Sequence, residues 1–94
     1  MIDVSVAMDP NEARRALNAA RLTGSIVVTH HAQQEMQKDG ITPAELRQLL
    51  LRGAIEHPEW EHQEWRYRIS LKPNTAIIAF ETQNNAVVVT AWRN

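Results

Sequence analysis

Trp65-Arg66-Tyr67-Arg68-Ile69-Ser70-Leu71-Lys72 alternates apolar and polar side chains without a break. That period of two is the spacing of an extended strand with one face in a core and the other in water. Trp65, Tyr67, Ile69 and Leu71 take the inner face, and Arg66, Arg68, Ser70 and Lys72 take the outer one. The same grammar continues downstream. Pro73-Asn74 reads as a turn, Thr75 to Phe80 as an apolar strand, Gln83-Asn84-Asn85 as another turn, and Ala86 to Trp92 as a strand rich in valine. Three successive strands joined by short turns form an antiparallel meander.

Upstream of Gly53 the period changes to that of a helix. Asp9-Pro10-Asn11-Glu12 is a start signal, because Asp9 can accept a free backbone N–H, Pro10 suits the first helical position and Glu12 can reach back. A helix from Pro10 to about Leu22 follows, with a thin stripe of Ala13, Ala16, Leu17 and Ala20, and Gly24 ends it. Thr29 reads as the cap of a second helix from His30 to about Lys38, closed by Asp39-Gly40, with Ala32 and Met36 inward. Thr42-Pro43-Ala44-Glu45 opens a third, running to Arg52 with Leu46, Leu49 and Leu50 on one face. Ile26-Val27-Val28 is too short to separate a strand from a loop entering the core. The expected fold is therefore α+β: about three N-terminal helices on one face of a C-terminal antiparallel meander sheet of three to four strands. A fourth strand would come from residues 1–8, where Ile2, Val4 and Val6 alternate with Asp3 and Ser5, unless that segment is a frayed tail.

The chain has 94 residues, so we expect one domain, 1–94, with one core. Hydrophobic residues make up 44% and charged residues 22%, which excludes disorder, collagen and coiled coil. Ten Lys and Arg against eleven Asp and Glu leave a formal charge of -1, so a phosphate site would have to be local. With no cysteine, disulfides and thiolate chemistry are excluded, which fits the cytoplasm. No apolar run reaches the roughly 20 residues of a membrane helix, and no cation precedes Arg14 to open a signal peptide, so no membrane association is expected.

Charge is unevenly distributed along the chain. Residues 56–64 carry four glutamates and no Lys or Arg, whereas from Trp65 onward Arg66, Arg68, Lys72 and Arg93 face only Glu81. Arg66, Arg68 and Lys72 project from one strand face at roughly 7 Å intervals, a spacing that suits neighbouring phosphates and equally suits a solvated sheet face. Of the paired His30 and His31, adjacent helical positions about 100° apart, at most one can serve a given site. His31 is the better candidate, because it lies beside Ala32 and shares a side with Glu35. His57, Glu59, Glu61, His62 and Glu64 are metal-ligand types, but their spacing matches no zinc pattern, so no metal and no cofactor is expected. Trp60 and Trp65 flank this stretch and suit either a partner surface or the edge of the core. Gly-rich phosphate loops, nucleophile elbows and zincin helices are absent from the sequence.

Thr29-His30-His31-Ala32, then Met36, Gly40-Ile41, the capped leucine helix, Arg66-Tyr67-Arg68-Ile69 and Val87-Val88-Val89-Thr90 together resemble a small bacterial domain family of unknown function, DUF4258-like, over about Ile26 to Trp92. That family is in turn similar to the RelE-like and barnase-like toxin ribonucleases. The resemblance implies a metal-independent RNA-cleaving or related toxin-like domain, with the histidine of the His-Ala pair at His31, the strand arginine at Arg68 and a late-strand hydroxyl at Thr90. Where such relatives carry arginines before the methionine and before the glycine, this chain has Glu35 and Asp39. On this reading His31 acts as base or acid, Arg68 clamps a phosphate with Arg66 or Lys72 assisting, and Thr90 positions an oxygen. The competing expectation is a non-catalytic interaction module of the same fold, an accessory of a toxin–antitoxin pair or an immunity-like protein. The expected partners are accordingly RNA, or a cognate antitoxin or other protein, and an edge strand at Ile2 to Val6 would allow a homodimer.

Overall fold

Asp9, Thr29 and Thr42 each stand one residue before a helix, and each begins its helix by accepting a backbone N–H three residues on. The computed structural model describes residues 3–94. Helix α1 (Pro10–Thr23) and helix α3 (Pro43–Arg52) both start with a reciprocal capping box, Asp9 with Glu12 and Thr42 with Glu45. Helix α2 (His30–Asp39) ends at Gly40, whose φ of 73° is the left-handed cap that glycine adopts without a Cβ penalty. The last turn of α3 is completed from outside. The Arg14 guanidinium of α1 donates to the carbonyl oxygens of Leu50, at 2.6 Å, and of Gly53, satisfying acceptors that a helix C-terminus leaves free.

The strands are β1 (Ser25–Val28), β2 (Ala54–Ile55), β3 (Glu59–Glu61), β4 (Glu64–Leu71), β5 (Asn74–Thr82) and β6 (Asn85–Arg93). They form one six-stranded mixed sheet in the order β1-β6-β5-β4-β2, with β3 paired to β4. β4, β5 and β6 are the antiparallel meander, and β1 lies parallel to β6, Ser25 opposite Asn85 and Val28 opposite Val88. The buried residues of all three helices share one cluster with one face of the sheet. There Tyr67, Ile69, Ala76, Ile78, Phe80, Ala86, Val88 and Ala91 meet Leu17, Leu46, Leu49 and Leu50 in a single core. Tyr67 packs edge-to-face on Phe80, with ring centroids 5.5 Å apart. Its hydroxyl accepts the Met8 backbone N–H at 2.9 Å, and burial pushes the phenol's pKa up.

Two expectations are corrected here. The sheet has six strands and mixed pairing instead of three or four antiparallel ones, and β1 falls between α1 and α2, so the helices do not all precede the sheet. The reason is physical. A four-residue strand carries too little periodicity to be recognised alone, and β1 exists because residues 85–88, sixty positions away, supply its ladder. β2 and β3 are two and three residues long, and the β3–β4 hairpin turns through His62 and Gln63, both at positive φ, without the glycine or asparagine that marks such turns. At the N-terminus, Val4, Ser5 and Val6 lie in a turn and bend, where the Val6 N–H donates to the Asp3 carbonyl at 3.1 Å, so no edge strand forms among the described residues 3–8. Ile2, the first residue of the expected edge strand and dimer contact, lies outside the described residues.

Candidate functional site

Strand alternation divides the sheet cleanly. With Tyr67 and Ile69 under the helices, Arg66 and Arg68 stand on the opposite, open face. The ladder then places Arg68 opposite Ile77 and Ile77 opposite Thr90, so Arg68 and Thr90 share one row on that face. With strands 4.7–4.9 Å apart, their α-carbons lie about 10 Å from each other. The next row is Ser70, Thr75 and Trp92, and the Trp92 ring sits 5.5 Å from the Arg68 guanidinium carbon.

Thr90 reaches this face because of an irregularity. Ala86 and Val88 are buried under the helices, and an unbroken alternation would send Thr90 there too. The register instead slips between Ile77 and Ile78, so Val89 is an extra residue in β6, a bulge that resets the phase. Ala91 becomes the buried residue, and Thr90 and Trp92 turn outward. The bulge is held from the second helix: the Thr29 hydroxyl donates to the Val89 carbonyl at 3.1 Å and its N–H to Val88 at 3.2 Å, while the same hydroxyl caps α2 by accepting the Ala32 N–H. One threonine thus ties the start of α2 to the strand segment carrying Thr90.

His31 is the second residue of that helix and is exposed. Gln33 and Gln37 flank the helix on its core-layer side, where they line a groove with α1 and α3. At 100° per residue, His31 and Glu35 fall on the other flank. No hydrogen bond joins His31 to Arg68 or Thr90 among the described residues. The structure therefore puts Arg68 and Thr90 in one row of the sheet, while His31 stands exposed on the second helix without a hydrogen bond to either.

The other two cations differ. Arg66 is held by Glu64, Nε to Oε2 at 2.9 Å, with only 20% of its side chain exposed. Lys72 is exposed beyond the end of β4, two alternate positions from Arg68 and so about 13 Å away along the strand. Arg68 meets Glu56 only at 4.0 Å, with both side chains more than half exposed, a contact that water and salt weaken to at most about 1 kcal/mol. Of the two arginines, Arg68 is the less committed.

A small pocket of about 40 Å³, room for a water molecule or so, is lined by Glu56, His57, Glu59, Arg66, Arg68 and Ile77 among others. It places a second imidazole, His57, beside the arginines. Sequence reasoning passed over His57 as an acid–base candidate; the available signal was its place next to Glu56, but the β2–β4 pairing that brings both back to Arg68 is set by the fold. Among the described residues no three His, Cys, Asp or Glu side chains converge to hold a metal. Among the described residues no helix is long and apolar enough to cross a membrane.

Fold and face together define a small α+β domain that buries one side of a mixed sheet beneath three helices and leaves a charged row open on the other. The chain belongs to the family described as domain of unknown function (DUF4258), which matches residues 28–93 and so takes in His31, Arg66, Arg68, Lys72 and Thr90 but not α1. No curated protein and no solved structure matches the chain.

Proposed function

We propose that the open sheet face is a metal-independent RNA-cleaving site of the RelE-like and barnase-like toxin type. The observation that carries this reading is the Val89 bulge, which costs a regular ladder position and turns Thr90 into the row of Arg68. Bulges that re-aim a side chain are concentrated beside functional sites. A phosphate seated over Ile77 would meet the Arg68 guanidinium on one side and the Thr90 hydroxyl on the other. Trp92 beneath Arg68 offers a stacking surface for a base.

In such a cleavage the 2′-oxygen attacks the adjacent phosphorus as its proton leaves to a base. The phosphorus–5′-oxygen bond breaks as an acid protonates the departing oxygen, leaving a 2′,3′-cyclic phosphate and a 5′-hydroxyl end. His31 takes one of these proton transfers, and His57 in the pocket beside Arg68 is placed for the other. Arg68 neutralises the charge that builds on the phosphoryl oxygens. Lys72 extends the face toward a neighbouring phosphate, while Arg66 acts through its ion pair with Glu64.

Cleavage of a fluorescent single-stranded RNA in EDTA tests the reading. Arg68→Ala is expected to slow it about 10²-fold, the loss typical of one preorganised charge-stabilising group, and His31→Ala by at least as much. Full cleavage by His31→Ala would remove that residue from the mechanism.

A second reading, an interaction module that binds protein and does no chemistry, is favoured by one observation. The acidic stretch from Glu56 to Glu64 lies against the cations, with Glu64 on Arg66 and Glu56 near Arg68, and Trp60 is 55% exposed on it. The salt dependence of RNA binding separates the two. One or two phosphate contacts give a slope of about -0.7 to -1.4 in log affinity against log salt, and no binding even at low salt favours the module.

A further inference from the structure

We propose that the groove between α1 and the α2–α3 pair, on the helix side of the sheet, receives an acidic amphipathic helix from a protein partner. The groove encloses about 830 Å³ and opens to solvent. Its floor is β1. Ile26 and Val28 are in register with Ala86 and Val88 and so project to the same side. Ala86 and Val88 are 1% and 0% exposed under the helices, yet Ile26 and Val28 stay half-buried. The helix layer therefore stops one position short of the sheet edge. A further helix over β1 would bury that floor together with Leu51, which is 42% exposed.

Charge selects the occupant. Arg21 and Arg47, both exposed, are the charged side chains that line the groove, and no carboxylate does. In a chain of net charge -1 this is a local positive rim around an apolar floor. A nucleic acid would lay its phosphates against isoleucine, valine and methionine, which cannot solvate them. A helix with leucines at i, i+3, i+4 and i+7 and glutamates on its flanks satisfies both parts, its leucines on the floor and its carboxylates at the two arginines. Because groove and Arg68 row lie on opposite faces of the sheet, this inference stands independently of RNA cleavage.

Titration of the full chain with a synthetic leucine–glutamate amphipathic peptide, followed by NMR, tests it. The side-chain amides of Gln33, Gln37 and Gln48, all in the groove, are expected to shift saturably. Arg21→Glu combined with Arg47→Glu, both on exposed positions, is expected to weaken binding about tenfold with the remaining spectrum unchanged. A peptide with lysine in place of every glutamate is expected to leave the three amides unmoved, a control that needs no protein variant. Absence of a saturable shift, equal binding of the lysine peptide, or equal occupancy by sodium dodecanoate would each overturn the proposal.

Discussion

Two hydroxyl groups position much of the candidate site, and neither touches a substrate in the proposed chemistry. Tyr67 was legible in sequence as a core residue from its place opposite Arg68, but not its role: its hydroxyl is the partner of the buried Met8 N–H, fifty-nine residues away. Tyr67→Phe strands that donor and is expected to cost about 1–3 kcal/mol in urea unfolding; a change near zero would contradict a buried bond. Thr29 was legible as a cap and not as the anchor of the Val89 bulge, because its second bond runs to a strand sixty residues on. The capping carboxylates give a pH signature. Asp9 and Glu45 lie below their ordinary pKa values, chiefly because each belongs to a box in which a backbone N–H donates to its carboxylate, from Glu12 to Asp9 and from Thr42 to Glu45. A group depressed in the folded state adds stability above its unfolded pKa, near 4, and loses it as pH falls through the folded value. The thermal midpoint, read by circular dichroism, is expected to drop below about pH 4. Asp9→Asn combined with Glu45→Gln, which keeps an oxygen at each position, is expected to flatten that fall; an unchanged slope would assign it to other carboxylates.

At the level of elements, the helices were readable because each carries its own signals: caps at Asp9, Thr29 and Thr42, and a stop at Gly40. β4, β5 and β6 were readable because they are long enough for alternation to show. The short pieces were not. β3 owes its existence to pairing with β4, where Trp60 and Trp65 face each other across the hairpin with centroids 5.1 Å apart. Its turn holds His62 and Gln63 in the left-handed region, which costs side chains that lack a glycine's freedom or an asparagine's local bonding. His62→Asn with Gln63→Gly supplies the dipeptide this turn favours, and is expected to raise stability by about 1 kcal/mol while preserving the tryptophan pair's near-ultraviolet signal. Loss of that signal would mean the hairpin turns differently.

Across the molecule, one sheet separates two surfaces of opposite character. The helix side is a continuous apolar core that stops short at β1, and the open side is a row of Arg68, Ile77 and Thr90 with His57 in the pocket beside Arg68. The grouping of Arg66, Arg68 and Lys72 on one face was visible in sequence, since alternation alone dictates it. The company of Thr90 came from the family resemblance and not from alternation, because the bulge breaks the alternation in a run, Val87-Val88-Val89-Thr90, whose composition gives no hint of phase. The acidic segment's return to Arg66 and Arg68 was not visible, since it depends on strands too short to announce themselves. The most direct measurement of the central claim is the product of single-stranded RNA incubated with the full chain in EDTA. Cleavage through the 2′-oxygen predicts fragments ending in 2′,3′-cyclic phosphate and an intact strand when the RNA is replaced by its 2′-deoxy counterpart. An RNA left whole under these conditions, or a deoxy strand cut equally well, would contradict it.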